Sequence, residues 1–202
     1  MELTTERTAL LIIDMQNGFL APDGSMAALD LPIENLQPAV AGCRELVDLA
    51  HRADVPVIYT RYVFQPGHLD AGYMATEIIP ALSGNQTLEQ GSWDADIVDE
   101  LKPGPDAVII DKSRPSSFYG TRLEPVLQSL DIRNLVLAGV TTNICVETTA
   151  RDAGQRDYGV QVVADACAEF DPARHDHALN SIGFFFGRIT DLAAVRAAWN
   201  GN

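Results

Sequence analysis

Cysteine is scarce in this chain: Cys43, Cys145 and Cys167 are the only three in 202 residues, with no CxxC pair. An odd number of thiols without paired spacing excludes a disulfide framework as the organising device. Basic residues are scarce too. Fourteen Lys and Arg face 28 Asp and Glu, a formal net charge of −14, which removes the basic face that nucleic-acid binding requires. No apolar run approaches the roughly 20 residues of a membrane-spanning helix. The start, "MELTTERTALLIID", is acidic with a five-residue apolar run, unlike a secretory leader. Repeats and low-complexity tracts are missing. These absences leave a small-molecule partner, no nucleic acid and no membrane as the expectation, with a cytoplasmic location. An anionic substrate would need a local basic pocket against the overall field.

What is present is ordinary globular material, 47% hydrophobic and 21% charged. That is enough for one domain spanning 1–202 with a full core. Short apolar runs at 8–14 ("TALLIID"), 55–60 ("VPVIYT"), 106–111 ("DAVIID"), 134–140 ("NLVLAGV") and 159–165 ("GVQVVAD") read as strands, with 186–190 ("FGRIT") a weaker sixth. Their lack of polar alternation marks strands covered on both faces. Helical spacing fills the gaps at 33–53, 93–101, 120–130, 144–157 and 192–199, with Pro38 in a first turn. Alternating strand and helix predicts right-handed βαβ units and a mostly parallel sheet. The interval 61–92 is long and punctuated by Gly and Pro, and reads as a lid or a subunit contact.

Ligands of open parallel sheets bind beyond the carboxyl ends of the strands. Asp14 closes the first run, Lys112 follows the third, and "VTTNIC" carries the fourth to Cys145. Each alone has a bland reading: a turn cap, a solvated lysine, a small core residue. Neighbouring strands would bring the three to one rim, where their chemistry agrees. A helix N-terminus and an ammonium lower a thiol pKa. A carboxylate takes up the proton and returns it to a leaving amine. Backbone N–H groups of Thr141 and Cys145, at a helix start, can hold an oxyanion.

The segments "ALLIIDMQNGFL", "GSWDADIVDELKPGPDAVIIDKSRPSSFYGT" and "NLVLAGVTTNICVETTARDAGQRDYGVQVVADACAEF" together resemble the isochorismatase-like cysteine hydrolases over nearly the whole chain. The similarity is closest to the ureidoacrylate, biuret/triuret and N-carbamoylsarcosine amidohydrolase branch. The resemblance implies an α/β, three-layer Rossmann-like fold with a six-stranded sheet flanked by helices. It also implies a catalytic triad of Asp14, Lys112 and Cys145, a cis peptide before Thr141, oxyanion donors at Thr141 and Cys145, and a homodimer or homotetramer. Segment 61–92 or the helix around 172–183 would then lie near a subunit contact. The implied activity is cleavage of a C–N bond in a small ureido, carbamoyl or amide substrate through a thioester, releasing ammonia or carbamate. Rival readings are a vinyl-ether hydrolase of the isochorismatase type, which lacks the nucleophilic cysteine, and a non-catalytic binding protein on the same scaffold.

Nicotinamidases of that family bind a metal through Asp-x-His and a further His after the second strand. Here "YTRYVFQPGH" stands instead, and His68 alone makes no site. His175 and His177, two apart, point to different sides of a helix and read as solvated. No metal and no cofactor are expected. Arg61 is the candidate grip for a substrate carboxylate or carbonyl, against an ion pair with one of the many acids. Gln16 and Asn17 are candidates for orienting an amide. Phe19, Trp93 and Tyr119 are candidate pocket walls, against a core reading.

Overall fold

The structure, a computed structural model, describes residues 2–84 and 86–200. Six strands, β1 (Thr8–Ile13), β2 (Val57–Tyr62), β3 (Val108–Lys112), β4 (Asn134–Val140), β5 (Gly159–Ala168) and β6 (Arg188–Thr190), form one sheet. Its order is β3-β2-β1-β4-β5-β6 and every pairing is parallel. The chain winds outward from β1 in one direction and from β4 in the other. The crevice between those two strands is therefore the topological switch point, where ligands of such sheets sit.

The continuous apolar runs are explained by burial on both sides: every residue of β1 is buried. Leu10 and Ile12 face one core with Leu46 and Leu49 of the helix Pro38–Arg52. Leu11 and Ile13 face a second core with Leu123, Leu127, Val146 and Ala150. Around the sheet run α1 (Asn17–Leu20), α2 (Pro38–Arg52), α3 (Ala81–Gly84), α4 (Leu123–Ser129), α5 (Glu147–Gln155), α6 (Pro172–Ser181) and α7 (Leu192–Trp199). Helices α2 and α7 cover the first core, and α4 and α5 the second. That is the three-layer α/β arrangement expected.

Two helices differ from expectation. Residues 93–101 form two single turns, Trp93–Ala95 and Asp99–Leu101, instead of one helix. The reason is tertiary: the Asp94 carboxylate accepts from Ser25 N–H (2.8 Å), Ser25 Oγ (2.7 Å) and Leu88 N–H (2.7 Å), and Ile97 bridges Gln16. The segment expected as one helix over 144–157 begins with a wide π turn, Thr142–Val146, before α5. Segment 61–92 anchors on the first core through Phe64, Ala71, Ala75 and Leu88, while Leu69, Tyr73 and Ile78 project into solvent.

Gly139 marks where β4 crowds β1. Its φ is +120°, and a Cβ there would lie 2.1 Å from the Ile13 carbonyl oxygen. Only glycine lets the two strand ends approach so closely beside Asp14.

Candidate active site

Asp14, the first residue after β1, turns into the left-handed region with φ +53°. Aspartate tolerates that conformation better than most residues. The turn aims its fully buried carboxylate along the sheet edge, toward β2. There Thr60 Oγ1 donates to Asp14 Oδ1 at 2.6 Å and accepts from the Asp14 N–H at 3.3 Å. Lys112, the last residue of β3, lies in register with Tyr62. Its Nζ sits 2.6 Å from Asp14 Oδ2 in a buried ion pair. The same Nζ is 3.2 Å from the Arg114 carbonyl oxygen, 3.4 Å from Cys145 Sγ and 4.3 Å from the centre of the Tyr62 ring. Cys145, in the π turn after β4, is 3% exposed. The peptide between Val140 and Thr141 is cis.

So Asp14, Lys112 and Cys145 meet, although only two of their strands, β1 and β4, adjoin. Strand β2 separates β3 from β1, and its Thr60 and Tyr62 complete the cluster. Neither residue stood out in the sequence. Thr60 closes the run "VPVIYT", and a polar side chain at the end of a buried strand was the available signal.

The electrostatics correct one expectation. Burial pushes the Cys145 thiol well up; Lys112 pulls it down by less, and Asp14 pushes it further up. The surroundings therefore favour the thiol form of Cys145 over the thiolate. For Lys112, burial pulls the ammonium down, but Asp14 and Cys145 outweigh it and its pKa is raised. Tyr62 is likewise raised, by burial first and then by Cys145 and Asp14. A neutral thiol beside a carboxylate–ammonium pair is a closed proton-transfer unit.

The candidate substrate residues fare differently. Arg61 is committed to an ion pair: Nε and Nη2 bind the two carboxylate oxygens of Asp111 at 2.8 and 2.9 Å, and Nη1 reaches Asp96 at 3.5 Å. Alternation along β2 turns it to the face opposite Thr60 and Tyr62. Gln16, fully buried, spends its amide on backbone, donating to the carbonyls of Tyr62 and Ala95 at 2.9 Å and accepting from Tyr62 N–H at 2.6 Å. Phe19 belongs to the core on the other face from Cys145. Tyr119 is 67% exposed, and it is its neighbour Phe118 that packs in the cluster containing Cys145. Asn17 donates to the Trp93 carbonyl at 2.9 Å. Both line a cavity of about 490 Å³ with Leu20, Ile33 and Val40, but none of Asp14, Lys112 and Cys145 does.

Among the histidines, His68 is buried with Nε2 2.9 Å from the Thr87 carbonyl oxygen. His175 and His177 both lie on α6. His177 is exposed, whereas His175, expected to be solvated, is half-buried with Nδ1 2.8 Å from Thr142 Oγ1. Among the described residues no group of three or more His, Cys, Asp and Glu gathers as a metal site, and no helix is long and apolar enough to cross a membrane.

Sequence and fold both match known proteins. The isochorismatase domain family matches residues 8–194. The ureidoacrylate amidohydrolase RutB of Acinetobacter baylyi is 32% identical over 204 residues, covering 95% of this chain and 83% of its own length. That of Pseudomonas savastanoi pv. phaseolicola is 33% identical over 198 residues, with 92% and 80% covered. Among solved structures, a cysteine hydrolase from Pseudomonas syringae pv. phaseolicola superposes with a TM-score of 0.86 at 29% identity, over 97% of this chain and 95% of that one. N-carbamoylsarcosine amidase from Thermoplasma acidophilum gives 0.74 at 26%, over 92% and 96%.

Proposed function

This chain belongs to the isochorismatase family, and we propose that within it the protein is a cysteine-dependent amidohydrolase of small ureido, carbamoyl or amide substrates. The observation that carries the reading is one ammonium serving two buried groups: Lys112 Nζ lies 2.6 Å from the Asp14 carboxylate and 3.4 Å from the Cys145 sulfur. The similarity to ureidoacrylate amidohydrolases and to an N-carbamoylsarcosine amidase supports the bond class.

Charge dictates the route. Losing the Cys145 proton to solvent would leave a net negative charge in a buried place, which is costly. Passing it to Asp14 keeps the total of the three groups unchanged, with Lys112 stabilising whichever partner is anionic. Asp14 thus acts as general base while Sγ attacks the carbonyl carbon. The oxyanion that forms is held by the N–H groups of Thr141 and Cys145. Asp14 then gives its proton to the departing nitrogen, the C–N bond breaks, and a thioester with Cys145 remains. Water, losing a proton to Asp14, attacks that thioester; the acid or carbamate leaves and the thiol is restored.

The test is ammonia release from ureidoacrylate, biuret, triuret, N-carbamoyl amino acids, nicotinamide and simple amides, with Cys145→Ala run beside the native protein. Release that depends on Cys145 from one of these compounds is expected, with folding and melting of the variant nearly native. Turnover retained in Cys145→Ala would sink the thioester route and favour cleavage without a thiol nucleophile, as in a vinyl-ether hydrolase.

A further inference from the structure

The turn that carries Cys145 is gripped from outside by two side chains that the proposed chemistry does not use. Glu169, the residue after β5, is 3% exposed. Its Oε2 accepts from the Asn143 N–H at 3.2 Å, and its Oε1 accepts from the N–H of Phe170 at 3.0 Å. His175, one turn into α6, holds the hydroxyl of the fully buried Thr142 at 2.8 Å through Nδ1. Consecutive residues of one turn, Thr142 and Asn143, are therefore tied by one side chain from α6 and one from the β5–α6 connection. Both lie between Thr141 and Cys145, whose N–H groups are the proposed oxyanion donors.

A reason for such a grip lies in the turn itself. Residues Thr142–Val146 form a single π turn, a wide and uncommon helical form that recurs at functional sites. A buried threonine hydroxyl left without a partner would cost free energy, so the His175 bond also satisfies the turn locally. Either tautomer of the ring makes that bond: Nδ1 without a hydrogen accepts from the hydroxyl, and Nδ1–H donates to it. The contact is a strut between α6 and the turn.

We propose that His175, with Glu169 beside it, is a positioning residue that holds the 141–145 turn in the form that aims its N–H groups and the Cys145 sulfur at the substrate carbonyl. This rests on the amidohydrolase reading for its kinetic consequence, but not for the hold itself. Neither side chain touches the reacting atoms; each acts through the turn. Misplacing reacting groups by about 1 Å costs on the order of a hundredfold in rate, so loosening the turn should be felt in kcat before KM.

The experiment compares His175→Ala, His175→Asn and Thr142→Val in the full chain, by steady-state kinetics and by amide hydrogen exchange over residues 141–146. The asparagine amide reaches where Nδ1 stood. Expected for His175→Ala is a fall in kcat of roughly tenfold or more with KM within about twofold, and faster exchange across the turn. His175→Asn should recover most of both. Thr142→Val should match His175→Ala, and the double variant should be no worse than either single one, since both remove the same bond. Native kcat in His175→Ala, additive losses in the double variant, or an asparagine variant no better than alanine would overturn the proposal. If the native protein releases no ammonia from any substrate, the amidohydrolase reading fails. Exchange then judges the hold alone: unchanged protection in His175→Ala overturns it, and faster exchange restored by asparagine supports it.

Discussion

Lys112 Nζ reaches Asp14 Oδ2 at 2.6 Å from two strands away: β3 ends in the lysine, β1 leads into the aspartate, and β2 lies between them. Both side chains are fully buried. Two charges withdrawn from water at this spacing tolerate each other's presence much better than either tolerates the other's loss.

That asymmetry gives a stability prediction independent of activity. Asp14→Asn should strand the Lys112 ammonium and cost about 3–5 kcal/mol, as should Lys112→Met for the carboxylate. The double variant should recover part of the loss, because no unpaired charge is left inside. Urea unfolding of the three proteins measures this. A double variant less stable than the sum of the singles would mean that the pair is not what those residues stabilise.

Thr60 acts on the carboxylate from the other side. Its hydroxyl donates to Asp14 Oδ1 at 2.6 Å and receives the Asp14 N–H. Thr60→Val keeps the shape and removes the hydroxyl, leaving a buried acceptor unsatisfied at a cost of about 1–3 kcal/mol. Urea unfolding should show that loss in Thr60→Val and recover most of it in Thr60→Ser, which keeps the hydroxyl. A valine variant as stable as the native protein would mean that the hydroxyl does not support the buried carboxylate.

Alkaline pH acts through the thiols. Burial pushes Cys43, Cys145 and Cys167 up from their ordinary value of 9.0, and Cys167 reaches about 12 against an opposing hydrogen bond from Gly139. Below the unfolded value both states keep their protons and this contribution is fully present. Above it the unfolded chain binds fewer protons than the native one, so stability falls as pH rises. For Cys167 the decline runs between 9.0 and about 12. Urea midpoints at roughly pH 8, 10 and 11 should drop in that order, and less steeply in Cys167→Ala. Parallel slopes in the two proteins would remove Cys167 from the account.

How far the sequence reveals this molecule follows from what each element depends on. Strands β1 and β4 were legible because unbroken apolar runs have one common cause, burial on both faces. Asp14, Lys112 and Cys145 were legible because each follows or ends such a run at the edge where ligands bind. The helix expected over 93–101 was not, because periodicity carries no sign that Asp94 would bond Ser25 and Leu88 across the fold. His175 was missed for the same reason: its partner Thr142 lies 33 positions away. Cys145 was expected to have a lowered pKa from its neighbours in sequence. Burial depth, which local reading does not supply, decides the other way.

Arg61 depends on register in the same manner. Strand pairing sets it opposite Asp111, with two N–H···O contacts at 2.8 and 2.9 Å. Hydrogen bonding to Asp111 is the main cause of its raised pKa. That fork occupies the Nε–Nη2 edge of the guanidinium, on the face away from Tyr62. Both side chains are partly exposed, 26% and 42%, so the pair is worth no more than about 1 kcal/mol. Arg61→Gln should accordingly shift the urea midpoint slightly and leave KM for a carboxylate-bearing ureido substrate within about twofold, where loss of a direct charged contact costs about 2–5 kcal/mol in binding. A tenfold or greater rise in KM would mean that Arg61 leaves Asp111 for the substrate when one binds.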